Sequence, residues 1–169
     1  MSSIKVLQCP TEIRWLVKLN GRKLELQVEA VDYMIRSCTD NNSTLVDLPI
    51  TIICPVGQPS TRKTAYINAV LEHFKSVAQQ PDMEKLVTGF SEPKDGQHND
   101  EETRAGILVS VPPFVLEDSC KRRVGVIMMD VWNNNGSMSE DLYLKLMELG
   151  CYISTTRIFI PTPPLRSVR

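Results

Sequence analysis

The sequence predicts an α/β fold, a sheet with helices on both faces. Three observations carry this expectation. Two apolar runs, Leu48 to Cys54 and Val124 to Met129, have the length and composition of strands buried on both sides, as in a parallel sheet. Stretches with helical periodicity stand between strand-like stretches along the chain. The octapeptide Gly57-Gln58-Pro59-Ser60-Thr61-Arg62-Lys63-Thr64 joins the first apolar run to a helical run, a strand–loop–helix context.

The elements follow in order. Ile13 to Leu19 and Leu24 to Val28 flank Asn20-Gly21, a strong hairpin signal, so an N-terminal β-hairpin is expected. Ala30, Val31, Met34 and Ile35 recur at helical spacing and predict a helix over Glu29 to Cys38. The polar cluster Thr39 to Thr44 reads as a loop. Leu48 to Cys54 is the first buried strand. Ala65, Val70, Leu71, Phe74 and Val77 mark the core face of a long helix from Ala65 to Ala78.

Residues 80 to 104 are mostly polar, with Pro81, Gly89, Pro93 and Gly96. A segment of that length without periodicity is usually functional or disordered. Ile107 to Val111 reads as a strand, continued by Phe114 to Leu116 beyond Pro112-Pro113. Glu117 to Arg123 is a charged turn. Val124 to Met129 is a strand ending at Asp130, and Trp132 to Gly136 a loop. Ser139-Glu140-Asp141 caps a helix with Leu142, Leu146 and Leu149 on one face. Gly150 either stops that helix or lies within it, with Thr155 as the far limit. Arg157 to Ile160 is a last strand, and Arg166 to Arg169 a frayed basic tail.

A length of 169 residues suits a single domain with a sizeable core. Nineteen basic and twenty acidic residues leave a net charge of -1, so nothing general pulls this chain toward nucleic acid or membrane. Lys121-Arg122-Arg123 has no stacking aromatics beside it and reads as a solvated turn. The five cysteines are odd in number, lack C-x-x-C spacing, and are accompanied by two histidines only. Neither a disulfide framework nor a zinc site is supported, and reduced thiols in a cytosolic or nuclear setting are expected. No signal peptide and no transmembrane run is expected in this chain.

The octapeptide is nearly the phosphate-binding loop G-x-x-x-x-G-K-[ST]. Such loops work because successive backbone N–H groups face one anion at the positive end of a helix. Gly57, Ser60, Arg62, Lys63 and Thr64 are therefore the candidate nucleotide-binding residues. Lys63 would reach the outer phosphates, and the Thr64 hydroxyl would bind magnesium. Asp130, after its apolar strand, would hold that ion through water. Because Gly57 and Asp130 both follow buried strands, they share one edge of the sheet. A chance pattern that merely opens a helix is the competing reading. His73 has no catalytic partner, His98 suits a solvated loop, Cys54 a buried inert thiol, and Trp132 local packing; no catalytic residue is assigned.

These features in this order resemble the atlastin and guanylate-binding-protein class of large GTPases in the dynamin superfamily, the atlastin branch most. The resemblance is carried by Leu24-Glu25-Leu26 through Leu48-Pro49-Ile50-Thr51-Ile52-Ile53, by Gly57 to Thr64, by Thr88-Gly89-Phe90-Ser91, by Glu102-Thr103-Arg104-Ala105-Gly106-Ile107, and by Val124 to Asp130. It runs on to Arg157-Ile158-Phe159-Ile160. It implies a P-loop NTPase-like sheet, GTP or GDP with magnesium as ligand, a protein partner or a homodimer across the nucleotide face, and a cytoplasmic place at the endoplasmic-reticulum membrane.

The departures are systematic. Arg62 replaces the loop glycine, where a side chain implies backbone strain. Ser60 stands where the family often has a cis-acting arginine. Ala105 replaces the switch threonine, with Thr103 two residues off. Asn133 replaces the D-x-x-G glycine. No guanine-reading carboxylate is assigned after Ile160, so the resemblance covers a partial GTPase domain. A degenerate GTPase-like domain, with weak or lost nucleotide binding and action through protein contacts, is the leading expectation. A working GTPase using Lys63, Thr64 and Asp130, and an unrelated scaffold, are the alternatives.

Overall fold

The structure is a computed structural model that describes residues 4–39, 48–57, 61–78, 89–90, 105–133 and 138–161. Within these, the chain runs β1 Lys5–Gln8, β2 Glu12–Asn20, β3 Lys23–Leu26, α1 Val28–Thr39, β4 Ile50–Val56, α2 Thr61–Val77, β5 Ala105–Val111, β6 Phe114–Glu117, β7 Arg123–Asn133, α3 Glu140–Ile153 and β8 Thr156–Phe159. The fold is α/β. All eight strands join one sheet, with α2 on one face and α1 and α3 on the other.

The hairpin forms as its turn chemistry dictates. Asn20 pairs with Lys23, and Gly21 takes φ 59°, the left-handed conformation open to glycine at little cost. β1, unmarked in the sequence because it is short and half exposed, pairs antiparallel with β6. β5 and β6 lie end to end along one side of β7, Ala105 against Asn133 and Phe114 against Val126. Pro112-Pro113 lies at the break, because proline offers no N–H to a ladder.

On its other side β7 pairs parallel with β4, which in turn pairs parallel with β8. The parallel character expected of the sheet is thus confined to β7, β4 and β8; the remaining pairings are antiparallel. β4 is also less enclosed than its apolar run implies: Ile50 to Ile53 are half-buried, and Cys54 and Pro55 are fully buried.

Alternation along the strands splits the core in two. Ile67 and Leu71 of α2 pack with Leu108, Phe114, Val126 and Met128. Tyr143, Leu146 and Met147 of α3 pack on the opposite face with Ile107, Val109, Ile127 and Met129. The core face of α2 differs from the expected one. Ile67, Leu71 and Phe74 follow i, i+4, i+7 spacing inward, whereas Ala65 and Val77 are exposed. On α1, Ala30 faces inward and Ile35 is exposed. α3 keeps Ser139 as N-cap, its hydroxyl accepting from the Leu142 amide at 3.4 Å, and runs through Gly150 to Ile153. A Cβ at Gly150 would lie 3.2 Å from Val131 Cγ2 and 3.5 Å from Cys54 Sγ, so glycine lets α3 settle close on the sheet.

The charged turn is internally paired. Glu117 accepts from Lys121 at 3.1 Å and Arg123 at 3.0 Å, and Arg122 pairs with Asp118. Hydrogen bonds from Arg123 and Lys121 hold the Glu117 carboxyl below the usual carboxylate range.

Gly106 tests the packing of β5 on β2. Its φ is 157°, and a Cβ there would collide with the Val17 carbonyl and come within 2.9 Å of the Trp15 ring, whereas a Cβ at Gly21 meets nothing within 4 Å. Gly106→Ala is expected to lower stability by about 2–4 kcal/mol. Gly21→Ala should cost about 1–2 kcal/mol, the left-handed penalty alone. Urea unfolding of the two variants compares them, and equal losses would show that the β2–β5 contact tolerates a side chain.

Candidate functional site

The site is built at the carboxyl ends of β4 and β7. Ile53 is level with Met128 in their parallel ladder, which places Asp130 beside the last residues of β4. Asp130 is not the end of its strand, as its apolar run suggests. β7 continues through Trp132 and Asn133, which pair with Gly106 and Ala105 of β5 instead of forming a loop. Asp130 shares the α2-facing side with Met128, and its side chain is fully buried.

Gly57 turns the chain out of β4. Its φ is 147°, and a Cβ would sit 2.7 Å from the Ile160 carbonyl oxygen, so only glycine fits. Its own carbonyl accepts a hydrogen bond from the Tyr143 hydroxyl at 3.2 Å. Ser60 lies outside the described residues, as do His98, Thr103 and most of 80–104. Described within that stretch are Gly89 and Phe90. Asn68 of α2 accepts from the Phe90 amide at 2.6 Å and donates to its carbonyl at 3.4 Å.

α2 begins at Thr61, four residues before the expected start. This overturns the strain expected at Arg62. In the first helical turn any side chain is accommodated, and Arg62 is exposed with no positive φ. Lys63 and Thr64, in the same turn, point differently. Lys63 is 2% exposed, with its ammonium 5.4 Å from the centroid of the Tyr143 ring. The Thr64 hydroxyl donates to Asp130 Oδ2 at 2.6 Å.

The electrostatics are those of charges withdrawn from water. Burial raises the Asp130 pKa, against the Thr64 hydrogen bond and the Lys63 charge, which lower it. Burial lowers that of Lys63, against the Asp130 charge. Desolvation pushes the Cys54 thiol up to about 12, with Cys151 and Asp130 adding to it, so Cys54 is the inert thiol expected. Desolvation also takes Tyr143 to about 12, so its hydroxyl stays a donor throughout the physiological range.

Unsatisfied groups gather at the same strand end. Among the described residues, Asp130 Oδ1, Trp132 Nε1 and Asn133 Oδ1 are buried without a hydrogen-bond partner. A buried acceptor of this kind in a native fold calls for a water, an ion or a ligand. Among the described residues there is no cluster of three or more His, Cys, Asp or Glu that could hold a metal alone. A cleft of about 240 Å³ lined by Arg14, Glu29, Asp32, Tyr33 and Arg36 opens beside α1, away from this chemistry. Arg14 stacks 4.0 Å over the Tyr33 ring and pairs with Glu12, so internal contacts already engage it.

The structure therefore joins Gly57, Lys63, Thr64 and Asp130 and leaves Arg62 outside. Ala105 and Asn133, far apart in sequence, are ladder partners. Sequence reasoning missed Tyr143. Its helical spacing marks it as a core position of α3, but nothing local signals that the hydroxyl crosses to Gly57.

The buried pair makes an opposed-mutation test. Lys63→Met or Asp130→Asn alone should cost about 2–4 kcal/mol, because each removes the opposite charge that a buried group interacts with. The double variant should recover most of that loss. The sign with pH follows from the directions. Asp130, raised in the fold, stabilises fully below its unfolded pKa and loses that contribution as pH rises through its native value. Lys63, lowered in the fold, stabilises above its unfolded pKa and loses that contribution as pH falls through its native value. The stability of the double variant relative to the wild type should therefore be highest near neutral pH and lowest at the acid and alkaline ends. Additive single effects, or a pH-independent gain, would show that the two groups do not act as a pair.

No protein-family model and no curated protein matches this sequence.

Proposed function

We propose that Gly57–Thr64 and Asp130 are the frame of a nucleotide-phosphate site in a degenerate GTPase-like domain. In this reading the domain binds guanine nucleotide weakly or not at all, hydrolyses little, and acts mainly through protein contacts, a second copy across this face among them. One observation carries the reading. The hydroxyl after the loop lysine hydrogen-bonds, at 2.6 Å, a carboxylate on the neighbouring parallel strand. Lysine and threonine opening a helix by chance have no need of that partner.

The donor set fits magnesium. Asp130 Oδ1 is a buried acceptor lacking a hydrogen bond, and the Thr64 oxygen, its proton given to Oδ2, keeps its lone pairs. Thr64 and Asp130 would hold the ion, Asp130 through water, and such an ion supplies neutralisation of phosphate charge. Asparagine and alanine at the switch positions argue against efficient turnover. Ala105 offers no hydroxyl for a metal or a water, and Asn133 is committed to a strand pair. Each missing charge-stabilising group typically costs about 100–1,000-fold in rate.

A working GTP-binding protein is the second reading, favoured by the glycine-only turn at Gly57 and by the orphaned Asp130 oxygen. A cytoplasmic setting suits the free thiols of Cys9, Cys54, Cys120 and Cys151. Among the described residues no helix is long and apolar enough to cross a membrane.

Titration calorimetry with GTP, GDP and ATP in magnesium separates the readings. The degenerate domain should give no heat, or a dissociation constant of about 1 mM or weaker. Micromolar GTP binding that disappears in Lys63→Ala would establish the second reading instead.

A further inference from the structure

Tyr143 reaches the site from the far face of the sheet. Its ring is buried in the α3 core, 3% exposed, and its hydroxyl lies 3.2 Å from the Gly57 carbonyl, 86 residues away in sequence. The same ring covers the Lys63 ammonium at 5.4 Å. One residue of α3 therefore touches both ends of the loop, its first glycine and its lysine. We propose that Tyr143 is the positioning residue of the phosphate loop, holding the Gly57 peptide by its hydroxyl and Lys63 by its ring. This rests on the reading of Gly57–Thr64 as a site for nucleoside di- or triphosphates.

Tyr143 acts on the loop in two ways, through its hydroxyl and through its ring. The hydrogen bond fixes the Gly57 carbonyl at the point where the chain leaves β4. An anion-binding loop depends on the aim of its N–H groups. Gly57 has no Cβ to restrict its φ and ψ, so an external hydrogen bond has more to do here than at another residue. The second arm is the ring. An ammonium withdrawn from water is stabilised by the negative face of an aromatic, and Lys63 is such an ammonium. The phenol stays protonated to about pH 12, so the hydroxyl arm does not switch off under physiological conditions. Gly150, by letting α3 sit close to Val131 and Cys54, sets the depth from which Tyr143 reaches out.

Two variants of the full chain separate the arms. Tyr143→Phe keeps the ring and removes the hydroxyl; Tyr143→Leu removes both. The first readout needs no nucleotide. Amide hydrogen exchange at residues 65–68, the first N–H groups bonded within α2, should quicken about tenfold in Tyr143→Phe while the rest of the sheet is unchanged. Labelling of Lys63 by an amine reagent should stay at the wild-type rate in Tyr143→Phe and rise several-fold in Tyr143→Leu. Wild-type exchange at 65–68 in Tyr143→Phe, or an acceleration spread evenly over the sheet, would overturn the proposal. The second readout is calorimetry with GTP and magnesium. If the wild type binds, Tyr143→Phe should weaken binding about tenfold, and unchanged affinity would overturn the role. If the wild type gives no heat, the exchange and labelling results alone decide, whatever the fate of the nucleotide reading.

Discussion

A carboxylate buried between a sheet and a helix is the constraint on which the rest of this structure depends. Asp130 has no exposed surface, and a charge so placed is costly unless it is hydrogen-bonded and paired. Thr64 supplies the hydrogen bond and Lys63 the opposite charge. Both lie in the first turn of α2, so meeting the needs of Asp130 fixes where α2 starts. The start of α2 fixes how the chain must leave β4, and that exit forces the glycine-only conformation at Gly57. α3 completes the arrangement, because Gly150 allows the close approach that brings Tyr143 to Gly57 and Lys63.

Burying a lysine and an aspartate together adds little to stability by itself. Apolar residues of similar volume are often as good or better. An arrangement that costs stability and leaves one carboxylate oxygen unsatisfied is characteristic of a site that serves, or has served, a ligand. Around it the chemistry is uneven. On the proposed reading the phosphate frame persists, while Ala105 and Asn133, paired in a ladder, stand where a terminal phosphate would be sensed. On the reading proposed above, such a domain suits recognition of a partner better than turnover.

Much of this was legible in the residues. Asn20-Gly21 announced the hairpin because few dipeptides reverse a chain so tightly, and Gly21 indeed adopts the left-handed conformation. The apolar run before Gly57 announced β4, and Ser139 with Glu140 and Asp141 announced α3. Other features were not legible, for physical reasons. The strand at Lys5–Gln8 is short and half exposed, so it has no strong pattern. Antiparallel pairing on most of the sheet is a property of partners, not of any one strand. β7 outlasts its apolar run, because a buried aspartate hydrogen-bonded by Thr64 from outside the strand does not break a ladder. Arg62 looked strained only while its place in the loop was assumed, and an earlier helix start removes the strain. The reach of Tyr143 needs a packing distance that one helix cannot encode.

The most direct test of the central claim is a magnesium-dependent GTP hydrolysis assay on the wild-type protein, read against buffer and against Asp130→Asn. The account predicts release of phosphate indistinguishable between the two proteins and close to the uncatalysed rate. Turnover in the range of about 1 s⁻¹, lost in Asp130→Asn, would contradict it and show that the frame at Thr64 and Asp130 is still an active site.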